Sequence, residues 1–256
     1  MPAALVTGVS RSGGIGAAVA RALTRGGWTV AATGHRPYDA TEPWGAEPDT
    51  PAQMLAERAI AAWEEHDFAD PAAPARAVAG AEGTVGPLTA LVVLHTESRH
   101  GGVLETTPDS FDRHMAVNAR ATLLLCAEFA RRFRGGQGAG RIVAFSSGAI
   151  HGEVAYGASK AAIERIVVAA AAELGPLGIT VNAVDPGPTD TGWLTPELAE
   201  RVRAATPLGR LGQPDDAAAL VAFLCSPAGG WITGRTLVAD GGARVAPSLR
   251  RGRDEL

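Results

Sequence analysis

The sequence predicts a single α/β domain built on a doubly wound, mostly parallel sheet of seven strands with helices on both faces. Three observations support this fold class. Short apolar runs alternate with helical patterns along the chain. A glycine-rich turn, Thr7–Gly16, joins the first apolar run to the first helical pattern. The length of 256 residues suits one large domain better than two small ones.

Each strand is predicted from a short apolar run, and each helix from a longer stretch of helical composition. The predicted strands are Ala3–Thr7, Thr29–Thr33, His66–Phe68, Leu91–Leu94, Arg141–Ser146, Thr180–Val184 and Thr236–Val238. The predicted helices are Ile15–Arg25, Ala52–Glu64, Ala72–Gly83, Pro108–Arg134, Ala155–Leu174, Pro196–Ala205 and Pro214–Leu224. Because strands and helices alternate, we expect a parallel sheet that is covered on both faces.

The predicted domain spans residues 1–242 and is followed by a polar, arginine-rich tail over residues 243–256. The longest loop, Arg36–Pro51, contains Pro, Gly and acidic residues, and it is interpreted as an insertion rather than a linker.

Composition excludes several classes of function. The net charge is -4 and charged residues make up 20% of the chain, so no basic surface for nucleic acid is predicted. No apolar run approaches the roughly 18 residues that a membrane span needs, and no basic leader precedes the first strand. Cys126 and Cys225 are predicted to be reduced core thiols of a cytoplasmic protein. The six histidines lack ligand spacing, so no metal site is predicted.

Tyr156 and Lys160 form the pair most indicative of chemistry. On a helix, residues four apart lie one turn apart on the same face. Lys160 is the only lysine in the chain, whose other basic residues are all arginine. A nearby ammonium favours a phenolate and would lower the pKa of Tyr156, which could then act as a general acid or base. A surface Tyr and Lys at a helix start is the alternative, so the pair alone does not distinguish a catalytic role from a structural one.

The glycine turn is the predicted site of a dinucleotide pyrophosphate. Glycines permit a tight turn and close backbone approach, and the free N–H groups of a helix N-terminus attract anions. A P-loop is excluded, because no Lys-Ser or Lys-Thr follows the glycines. The turn residues predicted to contact the cofactor are Gly8, Ser10, Arg11, Gly14, Ile15 and Gly16.

The end of the second strand indicates which nicotinamide cofactor binds. NAD binders usually carry an acid there that holds the ribose hydroxyl, whereas NADP binders omit the acid and offer arginine. Here Gly34 occupies the acid position, and Arg11, His35 and Arg36 could meet a 2′-phosphate. Both arginines could instead be merely solvated. The pattern favours NADP (NADPH) over NAD.

Polar residues follow other predicted strands, at the edge where ligands bind in a doubly wound sheet. Asp67 and Phe68 end the third strand, where an adenine edge could be read. Ser146 and Ser147 end the fifth strand. A hydroxyl there can donate to a carbonyl oxygen and hold it against Tyr156, although Ser-Ser is also an ordinary turn signal.

Two further groups of residues are candidates. Asn118 lies in an apolar helical stretch, where its amide must be hydrogen-bonded to backbone or water. After the sixth strand, a rigid turn could contact the carboxamide or phosphates of the cofactor through Pro186, Gly187, Thr189 and Thr191. Trp193 and Leu194 follow and are candidates for an apolar substrate wall, although a lone Trp is more often a packing residue.

Together these residues resemble the short-chain dehydrogenase/reductases, most closely the branch similar to 3-oxoacyl-carrier-protein reductases. The likeness runs from about Ala3 to Gly242. Its motifs are each weak alone but occur in the family's order: Thr7-Gly8…Gly14-Ile15-Gly16, Asn118, Ser147, Tyr156-x-x-x-Lys160, Pro186-Gly187…Thr191 and Asp240-Gly241-Gly242. The resemblance implies a Rossmann-type fold, a nicotinamide cofactor, a small-molecule carbonyl or alcohol substrate, and a homodimer or homotetramer packed partly through the predicted long helices.

The resemblance also implies four catalytic roles. Tyr156 would donate a proton to the carbonyl, and Lys160 would hold the nicotinamide ribose and depress the pKa of Tyr156. Ser147 would donate a hydrogen bond to the substrate oxygen. Asn118 would anchor a water that relays protons to Lys160.

Three departures from the family pattern are expected to alter the site. The glycine turn is two residues longer than usual. His95-Thr96-Glu97-Ser98 replaces an Asn-Asn-Ala-Gly motif, which brings a carboxylate near the cofactor and makes His95 a cofactor contact. Ser147 precedes Tyr156 by nine residues where thirteen is customary, so either the pocket is more open there or Ser147 is displaced. His151 and Glu153 are candidates to take over part of the substrate contact.

Two functions remain open. The first is an NADPH-dependent reductase that converts a ketone, 3-oxoacyl or similar, to a secondary alcohol or runs in reverse. The second is a nucleotide-binding homologue with little catalysis, acting as a regulatory or assembly partner. Neither the substrate, beyond moderate apolarity, nor the direction follows from the residues.

Overall fold

The sheet of the protein has seven parallel strands in a computed structural model that describes residues 1–148 and 152–245. The strands are β1 (Ala3–Thr7), β2 (Thr29–Gly34), β3 (Ala62–Glu65), β4 (Ala90–Val93), β5 (Gly140–Phe145), β6 (Ile179–Asp185) and β7 (Thr236–Val238). Their order is β3-β2-β1-β4-β5-β6-β7. The winding direction reverses between β1 and β4, which opens a crevice at the carboxyl edge. This confirms the predicted doubly wound sheet.

Helices connect the strands and cover both faces of the sheet. In the described part of the chain they are α1 (Ile15–Arg25), α2 (Arg36–Asp39), α3 (Thr50–Ala56), α4 (Ala73–Val85), α5 (Pro108–His114), α6 (Ala121–Arg132), α7 (Val154–Leu174), α8 (Pro196–Ala205) and α9 (Pro214–Cys225). A π-helical turn, Met115–Arg120, joins α5 to α6, and short 3-10 turns follow α7 and α9 at Gly175–Leu177 and Pro227–Gly229.

The core consists of two apolar layers, one on each face of the sheet. Alternate strand residues point to opposite faces, so neighbours in β1 separate: Leu5 packs in one layer and Val6 in the other. The first layer is completed from α4, α6 and α7, and the second from α1, α3 and α9. Two filled layers hold the strand ends rigid, and this rigidity fixes the side chains at the carboxyl edge.

The third strand was predicted in the wrong place. His66–Phe68 lies beyond β3, and the predicted helix Ala52–Glu64 ends at Ala56. Arg58 has a φ of 57°, which ends the helix, and Trp63 then pairs with Ala32 of β2. Sheet pairing overrides the helical propensity of this Ala- and Glu-rich stretch. The other strands agree with prediction to within one residue at each end.

The long helix predicted over Pro108–Arg134 is divided in the structure. α5 ends at His114, the π-helical turn inserts at Met115–Arg120, and α6 ends at Arg132. The predicted loop Arg36–Pro51, called the insertion below, contains α2 and the start of α3. Of the predicted tail, residues 243–245 continue a turn against the domain, and residues 246–256 lie outside the described part.

Membrane spans, metal clusters and the two cysteines can each be checked in the described residues. None of their helices is long and apolar enough to span a membrane. No group of three or more His, Cys, Asp or Glu among them could hold a metal ion. Cys126 and Cys225 are buried free thiols, and burial raises the pKa of each to about 12. Both are core residues, as predicted.

Candidate active site

A cleft of about 970 Å³ opens along the carboxyl edge of the sheet. Its walls come from the ends of β1, β2, β4, β5 and β6, from the start of α7, from the insertion and from the segment that follows β7. This is the position at which doubly wound sheets bind ligands, beside the strands where the winding reverses.

Tyr156 and Lys160 lie in the first two turns of α7 and both line the cleft. The ammonium nitrogen of Lys160 is 5.5 Å from the centre of the Tyr156 ring. The nitrogen is buried and donates a hydrogen bond to the carbonyl oxygen of Phe145, at the end of β5, over 3.0 Å. The structure therefore brings the phenol and the amine together on one face, as their spacing predicts.

The pKa of Tyr156 differs from the sequence-based expectation. Burial raises it to about 12, and hydrogen bonds with the side chains of Ser147 and Thr96 only partly oppose this rise. Glu153 and Asp185 add to it through their negative charges. The pKa is therefore raised rather than lowered as expected, because burial of the phenol is the largest influence on it. In the protein alone Tyr156 is a protonated phenol at neutral pH.

Lys160 is itself perturbed by burial. Burial lowers its pKa to about 8, and the negative charge of Asp185 acts in the opposite direction. A buried amine with a pKa close to neutrality exchanges protons readily, whereas an arginine at this position could not. This difference gives a physical reason why the only lysine of the chain stands here.

The two serines after β5 have different partners. Ser147 hydrogen-bonds Tyr156 through its side chain. Ser146 is buried and donates to a carboxylate oxygen of Glu164 on α7 over 2.5 Å. The shortened connection therefore still leaves Ser147 within reach of Tyr156. Beyond the undescribed residues 149–151, the backbone of Gly101 is bonded to Gly152 and Val154, which attaches this wall to the loop after β4.

Asn118 is buried in the π-helical turn and does not line the cleft in the described structure. Its side-chain oxygen accepts from the backbone N–H of Glu97 over 2.7 Å. Its side-chain nitrogen donates to the carbonyl oxygen of Glu97 and to the hydroxyl of Ser159, both over 2.8 Å. Ser159 in turn donates to the carbonyl oxygen of Tyr156. Asn118 thus joins the loop after β4 to the turn of α7 that carries the phenol.

The glycine turn lies at the opposite end of the cleft. Gly8 has a φ of 76°, and a Cβ there would lie 2.7 Å from the backbone nitrogen of His95. Only glycine therefore allows β1 and β4 to approach so closely. Every turn residue predicted to contact the cofactor lines the cleft: Gly8, Ser10, Arg11, Gly14, Ile15 and Gly16. The N-terminus of α1 begins directly after Gly14.

The three basic residues proposed for a 2′-phosphate are held differently. Arg11 lines the cleft and donates to the carbonyl oxygen of Thr191 over 2.5 Å. His35 also lines it, 3.8 Å from a carboxylate oxygen of Asp67. Arg36 pairs with Glu65 at 2.6 Å, lies over the Trp63 ring and is not among the described lining residues.

The insertion forms a wall of the cleft that the sequence reading did not identify. Asp39 is buried and accepts hydrogen bonds from the Ser10 hydroxyl over 2.5 Å and from the Trp44 indole over 3.0 Å. Glu47 accepts from both the backbone N–H and the hydroxyl of Ser12. These carboxylates attach the insertion to the glycine turn. The insertion follows β2 at the ligand-binding edge of the sheet, and this position in the sequence could have indicated that it lines the cleft.

The loop after β4 is rigid and polar. The neutral ring of His95 accepts from Thr7 over 2.8 Å and donates to the carbonyl oxygen of Val117 over 2.9 Å. It also stacks on Phe68, with ring centres 4.0 Å apart. Burial lowers the pKa of His95 to about 3. His95, Asp67 and Phe68 all line the cleft, as expected for cofactor contacts.

Glu97, the expected extra carboxylate, is buried and does not act as a free charge. It pairs with Arg99 and Arg113, each over 2.9 Å. Arg99 also reaches Glu42 of the insertion at 3.4 Å and lies over the ring of Tyr38. These contacts therefore join the loop after β4, through Glu97 and Arg99, to the insertion across the cleft, through Tyr38 and Glu42.

The turn after β6 closes the remaining side. Pro186, Gly187, Thr189 and Thr191 line the cleft, and so does Trp193, whose indole donates to the carbonyl oxygen of Thr189. Leu194 is not among the described lining residues, and His151 lies outside the described residues. Asp185 and Arg244 also line the cleft, although the sequence reading singled out neither.

A nicotinamide dinucleotide fits the groups at the glycine-turn end. Nε of Arg11 and Nδ1 of His35 are buried and make no hydrogen bond to the described residues, which is unusual for buried donors. Both residues belong to the cleft wall beside the N-terminus of α1, where anions are favoured. An anionic group from a bound nucleotide would satisfy them.

Comparisons with known proteins agree with this geometry. A family model described as enoyl-(acyl carrier protein) reductase matches residues 8–244. An uncharacterised oxidoreductase of Bacillus subtilis is 37% identical over 93% of this chain and 95% of its own length. An acetoacetyl-CoA reductase of Shinella zoogloeoides is 35% identical over 93% of this chain and 97% of its own.

Solved structures show the same fold. A short-chain dehydrogenase of Burkholderia cenocepacia in complex with NADP has a TM-score of 0.82 and 37% identity, covering 95% of this chain and 98% of its own. A blue fluorescent protein from a metagenomic library in complex with NADPH has a TM-score of 0.83 and 32% identity, covering 94% and 97%. Fold, cleft and sequence similarity lead to one conclusion: the chain is an oxidoreductase of the short-chain dehydrogenase/reductase family.

Proposed function

We propose that the protein is an NADPH-dependent reductase that converts a ketone, of the 3-oxoacyl or a similar class, to a secondary alcohol. The observation that carries this proposal is the grouping of Tyr156, its hydrogen-bonded partner Ser147 and the nearby amine of Lys160 at one end of a nucleotide-sized cleft. The similarity to an acetoacetyl-CoA reductase supports the substrate class.

Tyr156 is the proton donor. Because burial raises its pKa to about 12, the phenol carries its proton throughout the neutral range, which suits donation to a carbonyl oxygen that gains negative charge. Ser147 binds the same oxygen and orients it toward the phenol. The bound nicotinamide would supply the hydride, and the cleft would position the carbonyl carbon to receive it.

Arg11, His35 and Ser10 support the preference for NADPH. They line the glycine-turn end, where β2 ends in Gly34 without an acid. Arg11 and His35 each have a buried nitrogen that a 2′-phosphate would bind. The NADP and NADPH complexes of the two similar structures agree with this preference. Asn118 is proposed to act by positioning, since its amide is fully used in holding the loop after β4 and α7.

The homodimer or homotetramer implied by the family resemblance and the cytoplasmic location both remain proposals. Size-exclusion chromatography with light scattering would distinguish a monomer from either oligomer.

The test is NADPH oxidation with a panel of ketones and 3-oxoacyl thioesters. We expect Tyr156→Phe to lower kcat by about 10²- to 10⁴-fold, the usual contribution of a general acid, while nucleotide binding is retained. Tyr38→Phe removes the only other phenol of the chain, whose hydroxyl bonds the backbone of Ser98, and is the matched control, with kcat changed by no more than a few fold. Full activity of Tyr156→Phe would exclude the mechanism. Nucleotide binding by the wild type without turnover of any carbonyl would favour the regulatory alternative.

A further inference from the structure

An ion pair between Asp185 and Arg244 joins the segment after β7 to the end of the cleft that holds Tyr156 and Lys160, called the catalytic end below. Asp185 is the last residue of β6, and its side chain is 2% exposed. One of its carboxylate oxygens accepts from the backbone N–H of Gly187 over 3.0 Å. The other pairs with the guanidinium of Arg244. A carboxylate buried to this degree needs such a counter-ion.

Arg244 is held in place from two sides. Its backbone N–H donates to Asp240 over 2.8 Å, within the turn that follows β7. Its guanidinium lies against Gly148, where even a single Cβ would collide with it. Gly148 directly follows Ser147, so Arg244 fills the space between the end of β5 and the end of β6.

The charged groups around Lys160 come from several elements. Tyr156 faces it from α7, and the charge of Lys160 acts on His95 in the loop after β4. From β5 the contact is the neutral carbonyl of Phe145. From β6 it is Asp185, which directly follows Val184, the sheet partner of Phe145, and which lines the cleft together with Lys160. Its negative charge favours the ammonium form. Since Tyr156 and His95 are uncharged near neutrality, Asp185 supplies the local counter-charge, and Arg244 partly neutralises it.

We propose that Asp185 and Arg244 are positioning residues that together set the proton affinity of Lys160. Asp185 holds the proton on the buried amine, and Arg244 weakens this hold by pairing with the carboxylate. Lys160 therefore stays protonated near neutral pH without being fixed in the charged form. The importance of this for turnover rests on the proposed function, but the electrostatic arrangement does not.

The opposite roles of the two residues predict opposite shifts. Removing the charge of Asp185 leaves the buried ammonium without its counter-charge, so the pKa of Lys160 falls. Removing the charge of Arg244 leaves the full negative charge of Asp185 facing Lys160, so the pKa of Lys160 rises. Loss of packing alone would not move a titration in two directions.

The experiment uses the fact that Lys160 is the only lysine. Protein labelled with ¹³Cε-lysine gives a single side-chain resonance, and its shift against pH reports the pKa of this group without cofactor or turnover. In the wild type we expect a midpoint near pH 8. Asp185→Asn should lower the midpoint by about one pH unit, and Arg244→Gln should raise it by a similar amount.

The controls separate charge from structure. Arg244→Lys keeps the positive charge and should leave the midpoint of Lys160 near the wild-type value; the signal of the added lysine is identified by its absence from the wild-type spectrum. Asp216→Asn breaks the exposed ion pair with Arg210 at the start of α9 and should not move it. Shifts of the same sign in Asp185→Asn and Arg244→Gln, or no shift in Asp185→Asn alone, would overturn the proposal. Neither outcome depends on whether the protein reduces ketones, which the Tyr156→Phe assay decides separately.

Discussion

The two ends of the cleft hold their polar groups in different ways. At the catalytic end, Ser147 hydrogen-bonds Tyr156, the buried amine of Lys160 donates to the carbonyl oxygen of Phe145, and the carboxylate of Asp185 is buried. At the glycine-turn end, the buried Asp39 and the partly exposed Glu47 attach the insertion to the glycine turn through Ser10 and Ser12. Burial makes each contact at the catalytic end strong and hard to replace, whereas solvent weakens the individual contacts at the other end.

The strongest test of the catalytic end compares its two serines. Ser147→Ala removes the donor that we propose binds the substrate oxygen, and we expect kcat to fall by about 10²- to 10³-fold. Ser146→Ala removes a neighbouring hydroxyl that is bonded to Glu164 instead, so kcat should change by only a few fold. Steady-state kinetics on both variants measures the difference. Equal losses would mean that the role of Ser147 is structural.

The buried His95, in the cleft between the two ends, should make the free energy of unfolding depend on pH below neutrality. Its pKa is about 3 in the folded protein, while an unfolded histidine titrates near 6.5. Below pH 6.5 the unfolded chain binds a proton that the folded protein excludes, so stability falls with falling pH and is unaffected by this group above pH 6.5. This group alone should lower the free energy of unfolding by about 2 kcal/mol between pH 6.5 and 4.5.

Urea unfolding at both pH values measures that fall. His95→Asn should remove most of it, because an amide keeps hydrogen-bonding capacity without titrating. His100→Asn alters an exposed ring and should keep the wild-type pH dependence. An unchanged pH dependence in His95→Asn would contradict the assignment of this effect to His95.

At the glycine-turn end, two arginines distinguish the proposals for the cofactor phosphate. Arg11→Ala should raise the KM for NADPH about tenfold and leave that for NADH unchanged, because NADH lacks the 2′-phosphate that the guanidinium is proposed to bind. Arg36→Ala is the matched control, since Arg36 is already paired with Glu65 and packed on Trp63. A larger loss of NADPH affinity in Arg36→Ala than in Arg11→Ala would reverse the assignment.

The smallest effect is expected at the edge of the insertion. Hydrogen bonds from Ser12 and Thr50, with the charge of Arg11, hold the pKa of Glu47 below its usual value although partial burial opposes this. Glu47→Gln should destabilise the protein by about 1 kcal/mol or less, because the site is partly exposed. Thermal unfolding measures this, with Glu57→Gln on the exposed end of α3 as the control. A larger loss of thermal stability in Glu47→Gln than in Ser147→Ala would contradict the comparison between the two ends.

The catalytic end was largely predictable from sequence, because its key pair obeys a local helical rule. Tyr156 and Lys160 need only the spacing of one turn. The placement of β3 was missed because pairing with β2, which is a long-range contact, outweighed the local helical composition of Ala52–Glu64.

The insertion and the Asp185–Arg244 pair were missed for a related reason. Asp39 acts on Ser10 across 29 positions, and Arg244 reaches Asp185 from the far end of the chain. Neither contact leaves a periodic signal. The direction of the Tyr156 pKa was also wrong, since the sequence shows a neighbouring amine but not the depth at which both groups are buried.

The burial of Lys160 also makes its side chain a reporter of whether the domain is folded. Every other basic side chain is an arginine, which does not react with lysine-directed acylating reagents under mild conditions. While the domain is folded, Lys160 is only 3% exposed, so its ε-amino group should react slowly; when α7 separates from the sheet, that group becomes fully accessible. The rate of acylation at this single position would therefore measure how often the catalytic half of the molecule opens, rather than an average over the whole chain.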